Sequence, residues 1–252
     1  RIGKVAIAGS RYYSLDDIRA AVPSLRAGEC LNIHLAREEI SALNRLSPHR
    51  SITPILKPGK RPGTVDIELR VKDEFPAKTS IEINDRYTEN TSKSRLWLNT
   101  GFDNLWQAHH SLSLQYQTSP EDTDEVKVLV GTYAMPINDS NDRLAIYAVN
   151  SKSDVPATGS LSVLGDGNIT GLRYVIPMNG GDNYSHSLTL GADHKNFADA
   201  IFFENGEQAT QTKISYLQFS LNYRGNLMSE KSTLDFSLTA NQGLNGIGNS
   251  ER

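Results

Sequence analysis

From about residue 77 to the end, the chain repeats one pattern: segments of about ten residues in which apolar and polar side chains alternate. A period of two sends successive side chains to opposite faces of a strand. Leu96, Leu98 and Phe102 alternate with Trp97, Asn99 and Gly101, and Leu112, Leu114 and Tyr116 with Ser113, Gln115 and Gln117. Val126, Val128, Val130, Thr132 and Ala134 form a further series, as do Leu172, Tyr174 and Ile176. Leu188, Leu190 and Ala192 stand against Ser187, Thr189 and Gly191, and Leu217, Phe219, Leu221 and Tyr223 against Gln218, Ser220 and Asn222. Leu234, Phe236, Leu238 and Ala240 complete the set, against Asp235, Ser237 and Thr239. The polar partners are mostly Ser, Thr, Gln, Asn and Gly, which suits a wall with hydrocarbon on one side and water on the other. About nine such strands fit, each near the ~9–11 residues that cross a bilayer. The expected fold of residues 77–252 is therefore an all-β, antiparallel transmembrane β-barrel, present in part.

Composition is compatible with this. Hydrophobic residues make up 38% of the chain, and mean hydropathy is −0.44. Those values read as soluble, but barrel strands are apolar only at every second residue. No apolar run reaches the ~18 residues of a transmembrane helix. A net charge of −3 and a pI near 6.1 show no basic excess of the kind nucleic-acid binders carry. The single cysteine, Cys30, rules out an intrachain disulfide or a cysteine-built metal site. It reads as a small buried residue near a helix start. The chain opens at Arg1 without a signal peptide. A secreted parent needs one, so residues upstream are expected.

The connections alternate in character. If the amino-terminal domain is periplasmic, the outer connections are 85–94, 119–125, 152–165 and 196–211. The inner ones are 103–107, 136–142, 177–184 and 225–231. The longest fall in the outer set, as in barrels with long outer loops and short inner turns.

Residues 1–75 have a different grammar: strand, helix, helix, strand, strand. Ile2, Val5 and Ile7 make a short strand ending at Gly9. Ser14 can cap a helix by accepting from the Asp17 amide, and Pro23 lies where that helix stops. A second helix is predicted over 35–46, with Leu35, Ala36, Ile40, Leu43 and Leu46 at helical spacing. Strands follow at 51–56 and 64–71, joined by a turn-rich loop over 58–63. This α+β order resembles a POTRA domain, the periplasmic module that precedes outer-membrane barrels.

Within it, Pro54 lacks an amide donor and is tolerated mainly at a sheet edge. The segment Ser51, Ile52, Thr53, Pro54, Ile55 and Leu56 is thus a candidate edge to which an extended client adds as a strand, with Ile40 and Leu43 lining a groove beside it. The competing reading is that the proline only blunts the edge against aggregation.

Specific motifs lie in the barrel half. They are Tyr133-Ala134-Met135-Pro136-Ile137, Asp142-Arg143-Leu144-Ala145-Ile146-Tyr147-Ala148-Val149, Gly171-Leu172-Arg173-Tyr174 and the run from Tyr184 through Gly191-Ala192-Asp193-His194-Lys195-Asn196-Phe197. Together these resemble the ShlB/FhaC/HecB family of two-partner secretion transporters, also described as haemolysin secretion or activation proteins. The resemblance implies a Gram-negative outer-membrane pore that exports one large unfolded exoprotein, a haemolysin or adhesin. Periplasmic POTRA domains would capture the exoprotein's secretion domain. The family's Arg-Gly-Tyr motif does not occur; the nearest string is Tyr223-Arg224-Gly225. An odd number of strands does not close a bacterial barrel of this class. The chain is therefore expected to be a fragment. Two alternatives are an outer-membrane barrel-assembly factor of the same superfamily and a soluble periplasmic β-sandwich binding protein.

Trp97, Phe102, Trp106, Tyr116, Tyr133, Tyr147, Tyr184 and Tyr223 fall near strand ends and are candidates for aromatic girdles at the membrane interfaces. Catalytic signals are poor. His109, His110, His186 and His194 lack zinc-ligand spacing, and no nucleophile elbow or phosphate loop occurs. The expectation is a non-enzyme with no cofactor, no metal and no nucleic-acid partner. The acidic stretch 119–125 reads as a solvated loop in preference to a calcium site.

Overall fold

In the computed structural model, residues 1–87, 92–137, 142–152, 166–181, 183–202, 208–229 and 231–245 are described. Two units form. The first takes residues 1–77 together with 102–110, and the second takes 78–101 with 111–252.

The first unit runs β1 (Ile2–Ala8), α1 (Leu15–Ala20), α2 (Ile33–Arg45), β2 (Arg50–Pro58) and β3 (Val65–Asp73). The three strands make one sheet in the order β1-β3-β2, with β1 parallel and β2 antiparallel to β3. Ser14 caps α1 by accepting from the Asp17 amide, as its position in the sequence implies. α2 starts two residues before the predicted boundary because the Asn32 side chain accepts from the His34 and Leu35 amides. Leu35, placed on the apolar face from spacing, is exposed, while Ala36, Ile40 and Leu43 are buried. The core joins these to Ile2, Ile18, Val22, Ile52, Ile67 and Leu69. Cys30 is exposed, contrary to expectation: it lies in the loop before the Asn32 cap and packs against neither helix face.

The turn 103–109 belongs to this unit, and four of its non-glycine residues have left-handed backbones: Asn104, Trp106, Gln107 and His109. Such conformations cost roughly 1 kcal/mol or more each and persist where surroundings over-determine them. Here the Gln107 side chain donates to the Tyr12 carbonyl at 3.0 Å and accepts from the Ser14 amide at 3.1 Å. Asn104 donates to Gln107 and accepts from the His109 amide. His49 sits 3.1 Å from Asp103, and Phe102 meets Phe75 edge to face at 5.8 Å.

The second unit holds most of one nine-stranded sheet, β4 (Ala77–Asn84), β5 (Arg95–Leu105), β6 (His110–Thr118), β7 (Lys127–Pro136), β8 (Arg143–Lys152), β9 (Asp166–Asn179), β10 (Tyr184–Phe202), β11 (Gln208–Met228) and β12 (Thr233–Asn245). Strands neighbour one another in sequence order, and from β6 to β12 each pairs antiparallel with the next. Nine strands agree with the count from alternation. Among the described residues, the strands beyond Pro76 form one sheet and not the two packed sheets of a sandwich. No described helix is long and apolar enough to cross a membrane, which says nothing about crossing by strands.

Antiparallel pairing puts successive connections at alternate ends of the sheet; the expected connection 152–165 lies almost wholly outside the described residues, and 85–94, 136–142 and 196–211 lie outside them in part. The expected outer connection 196–211 is a correction: β10 continues to Phe202 and β11 starts at Gln208, with their pairing unbroken as far as Ile201↔Thr210. Two polar residues, Lys195 and Asn196, interrupt the alternation on β10, and the start of β11 reads Gln208-Ala209-Thr210-Gln211-Thr212-Lys213, almost without apolar residues, yet the two strands stay paired. The strands also outlast the expected 225–231 turn, since β11 runs to Met228.

The acidic connection 119–126 is tied down by hydrogen bonds. Glu125 accepts from the Ser92 amide at 2.9 Å, and Glu121 from the Lys93 amide and the Ser94 hydroxyl at 3.0 and 2.7 Å. Those bonds, from Ser94 and Lys93 for Glu121 and from Ser92 for Glu125, hold both carboxyls below the ordinary range.

Candidate functional site

Two places carry functional side chains, one in each unit.

In the first unit, β2 is an edge strand, as its proline implies. Beside it lies a groove of about 370 Å³. Ile33, Ala36, Arg37, Ile40 and Ser41 of α2 form one wall, and Pro54 and Leu56 of β2 the other, over a floor that includes Ile67. Residues 33, 37, 40 and 41 share one helix face at i, i+4, i+7 and i+8 spacing. Ile33 and Leu56 at the rim are 59% and 52% exposed, large for isoleucine and leucine flanking a common cleft. Of the predicted client-binding residues, Ile40, Pro54 and Leu56 line this groove. Ile52 and Leu43 are core, and Ser51, Thr53 and Ile55 point to the other side of the strand. The predicted helix begins at Leu35 and so omits Ile33, while Arg37 and Ser41 lie inside it but are polar and so stand outside the apolar spacing that marked the groove.

In the second unit, register assigns every side chain from β6 to β12 to a face. Leu112↔Tyr133↔Ile146↔Leu172↔Ala192↔Phe219↔Gln242 is one such row. Leu114, Leu129, Leu144, Ile176, Leu188, Leu190, Leu221, Leu234, Phe236 and Leu238 share its face. Leu112, Leu172, Leu190, Phe219 and Phe236 are all 40–44% exposed. A continuous exposed apolar face across seven strands is a face made for hydrocarbon. Toward the end with connections 180–183 and 229–232, Tyr184, His186, Tyr223 and Phe236 form an aromatic group on it. The Tyr184 and Tyr223 hydroxyls are 2.6 Å apart, and His186 stacks on Tyr184.

The opposite face carries Ser111, Ser113, Gln115, Thr132, Ser187, Thr189, Gln218, Ser220, Asn222, Ser237 and Thr239. It is not uniformly wet. Val128, Tyr147, Val149 and Ile169 form a buried cluster there, with Val130 and Phe197 packed against it. Strand β7 is apolar on both faces, so alternation alone left its phase open. Its pairing with β6 puts Leu129, Tyr133 and Met135 on the exposed apolar face, and Val128, Val130, Thr132 and Ala134 on the other.

On that second face lies a buried ion pair. Asp193, 3% exposed, accepts from both Arg173 nitrogens, Nη2 at 2.8 Å, and from the Tyr147 hydroxyl at 2.6 Å. The Arg173 guanidinium also donates to the Tyr147 oxygen at 2.9 Å and lies 5.0 Å from that ring's centre. A forked guanidinium meeting both carboxylate oxygens is the strong geometry for such a pair. Glycines make room for it. A Cβ at Gly171 would fall 2.3 Å from the Tyr147 ring and 2.4 Å from Asp193 Oδ1, and one at Gly191 2.8 Å from Arg173 Nη1. A polar chain continues from Lys195 through Gln218 to Asn241, linking β10, β11 and β12.

The proposed girdle residues divide. Tyr116, Tyr133, Tyr184 and Tyr223 lie on the apolar face, and Trp106 is 75% exposed in its turn. Trp97 is half-buried in β5. Phe102 packs on Phe75, and Tyr147 lies buried on the opposite face, bonded to Asp193.

A wall with one hydrocarbon-like face, one mainly polar face and sequential antiparallel pairing defines an outer-membrane-type β-barrel segment. A model of the family "Haemolysin secretion/activation protein ShlB/FhaC/HecB" matches residues 63–252, and the chain belongs to that family. The match starts at Gly63, so it covers the barrel half and only the end of the first unit. Among solved structures, CdiB from Escherichia coli matches with a TM-score of 0.66 and 14% identity, over 98% of this chain and 46% of that one. CdiB from Acinetobacter baumannii matches at 0.61 and 16%, over 97% and 46%. BamA from Haemophilus ducreyi lacking POTRA domains 1–3 matches at 0.56 and 13%, over 97% and 48%. The chain thus spans about half the length of the solved structures it resembles. No curated protein sequence matches it.

Proposed function

We propose that this chain is part of a Gram-negative outer-membrane transporter that exports a large unfolded exoprotein, a haemolysin or adhesin, by two-partner secretion. The first unit acts as a periplasmic POTRA domain, its β-α-α-β-β order and edge strand being those of a client-capturing module. The secretion domain of the exoprotein docks at the β2 edge and the adjoining groove. Trp97, Trp106, Tyr116, Tyr133, Tyr184 and Tyr223 meet the lipid interfaces. The observation that carries the transport reading is the two-faced wall of β6–β12 in a chain of the ShlB/FhaC/HecB family. The family match favours secretion over the barrel-assembly alternative. The soluble sandwich has no support in a single nine-stranded sheet.

Export is tested in a Gram-negative host making the transporter and an exoprotein with a filamentous-haemagglutinin-like amino-terminal domain. The exoprotein is expected in the medium only when the transporter is present. Ile33→Asp, at the exposed rim of the groove, is expected to leave the transporter in the outer membrane and strand the exoprotein in the periplasm. Equal export with and without the transporter would refute the function. Normal export by the Ile33 variant would remove the groove from it.

A further inference from the structure

The β2 edge is unequal along its length, and three observations fix which backbone groups it presents. The Asn44 side chain accepts from the Ile52 amide at 2.8 Å and donates to the Ile52 carbonyl at 3.1 Å. The Ile52 backbone therefore points out of the sheet, away from β3. Beyond the two ends of the ladder, Glu74 N donates to His49 O and Gly59 N to Thr64 O. Both bonds put odd-numbered residues of this strand in the hydrogen-bonded pairs. In an antiparallel ladder such pairs alternate with pairs whose backbone groups face outward. Residues 50, 52, 54, 56 and 58 thus face away from β3, and of these Arg50 is buried and presents no open edge.

The open edge beyond Arg50 is therefore Ile52, Pro54, Leu56 and Pro58. Asn44 already occupies both Ile52 groups. Pro54 and Pro58 have carbonyls but no amides. Leu56 alone offers a donor and an acceptor. The free edge is then three carbonyls and one amide, a row of partial negative charge complementary to the amides of an extended polypeptide. The side chains of Pro54 and Leu56 enter the groove from the same strand. Asn44 extends the Arg37–Ser41 row of α2 by one more turn.

We infer that Leu56 is the register-setting residue of this edge: an extended client chain is clamped by one reciprocal pair of backbone hydrogen bonds at Leu56, and otherwise only donates to the Pro54 and Pro58 carbonyls. The inference rests on the capture role proposed above. Asn44 and the two prolines are its specificity devices. They exclude other registers, keep a second copy of the edge from pairing along its full length, and reject a client with proline opposite Leu56.

The probe is a short fluorescein-labelled peptide alternating Val with Ser and Lys, titrated by anisotropy against the protein in detergent. Leu56→Ala keeps the amide and removes the side chain, and Leu56→Pro removes the amide as well. Leu56→Pro is expected to bind about fivefold more weakly than Leu56→Ala, the effect of one backbone hydrogen bond. Pro54→Ala adds an outward amide and is expected to bind about fivefold more tightly than the unaltered protein, a gain that misfolding does not produce. Equal affinities for the two Leu56 variants, with no gain in Pro54→Ala, overturn the register claim. Ile33→Asp separates the two levels. If it weakens binding while the edge variants do nothing, the groove captures clients by side chains and the clamp is wrong. If it too does nothing, capture at this site falls, and the clamp with it.

Discussion

Replacing Asp193 with alanine is expected to lower the stability of the strand wall by about 3 kcal/mol, read from urea unfolding of the protein in lipid vesicles. The loss comes from stranding Arg173, whose guanidinium then keeps only the Tyr147 oxygen as a side-chain partner. Breaking a buried pair costs roughly 3–5 kcal/mol. The low end applies because the Arg173 side chain is 26% exposed and reaches water in part. Removing both charges together, Arg173→Met with Asp193→Leu, is expected to cost less than Asp193→Ala alone, because no unpaired charge remains. A double change as damaging as the sum of the two single ones would show that the two side chains act independently, and the cluster would lose its meaning as a unit.

The second large effect is expected on the other face. Leu172 pairs across the sheet with Ile146 and Ala192, and is 42% exposed. Leu172→Arg is expected to destabilise the protein in vesicles by about 2–4 kcal/mol, the range for arginine at the middle of a barrel's lipid face. Gln218→Arg, on the polar face, is expected to cost much less. Comparable losses at both positions would mean that the two faces meet the same environment.

Much of the wall was legible in the sequence because its strands alternate cleanly. Leu112-Ser113-Leu114-Gln115 leaves no choice of face, and neither does Leu217 to Tyr223. The phase of β7 was not legible, since Val128 and Leu129 are equally apolar and only pairing with β6 decides between them. Strand ends were misplaced where the alternation breaks but pairing continues, as at Lys195-Asn196 and along the polar start of β11 over 208–213. The ion pair was also hidden. Gly171, Arg173, Gly191 and Asp193 stood in stretches shared with a family, yet nothing in their spacing says that two glycines clear space for a tyrosine and a salt bridge from neighbouring strands. The available signal was ionisable residues at two inward positions of a spanning strand pair, which are costly unless matched. In the first unit Pro54 was a readable edge signal. The part played by Asn44 was not, because it depends on which backbone groups of Ile52 point outward.

The central claim is that β6–β12 separate hydrocarbon from water. Nitroxide labels placed singly from residue 217 to 223 of β11, with the protein in lipid vesicles, test it most directly. Collision with oxygen is expected to peak at 217, 219, 221 and 223, and collision with a water-soluble nickel chelate at 218, 220 and 222. Labels that show no period of two, or that are shielded from oxygen at Phe219 and Leu221, would contradict it.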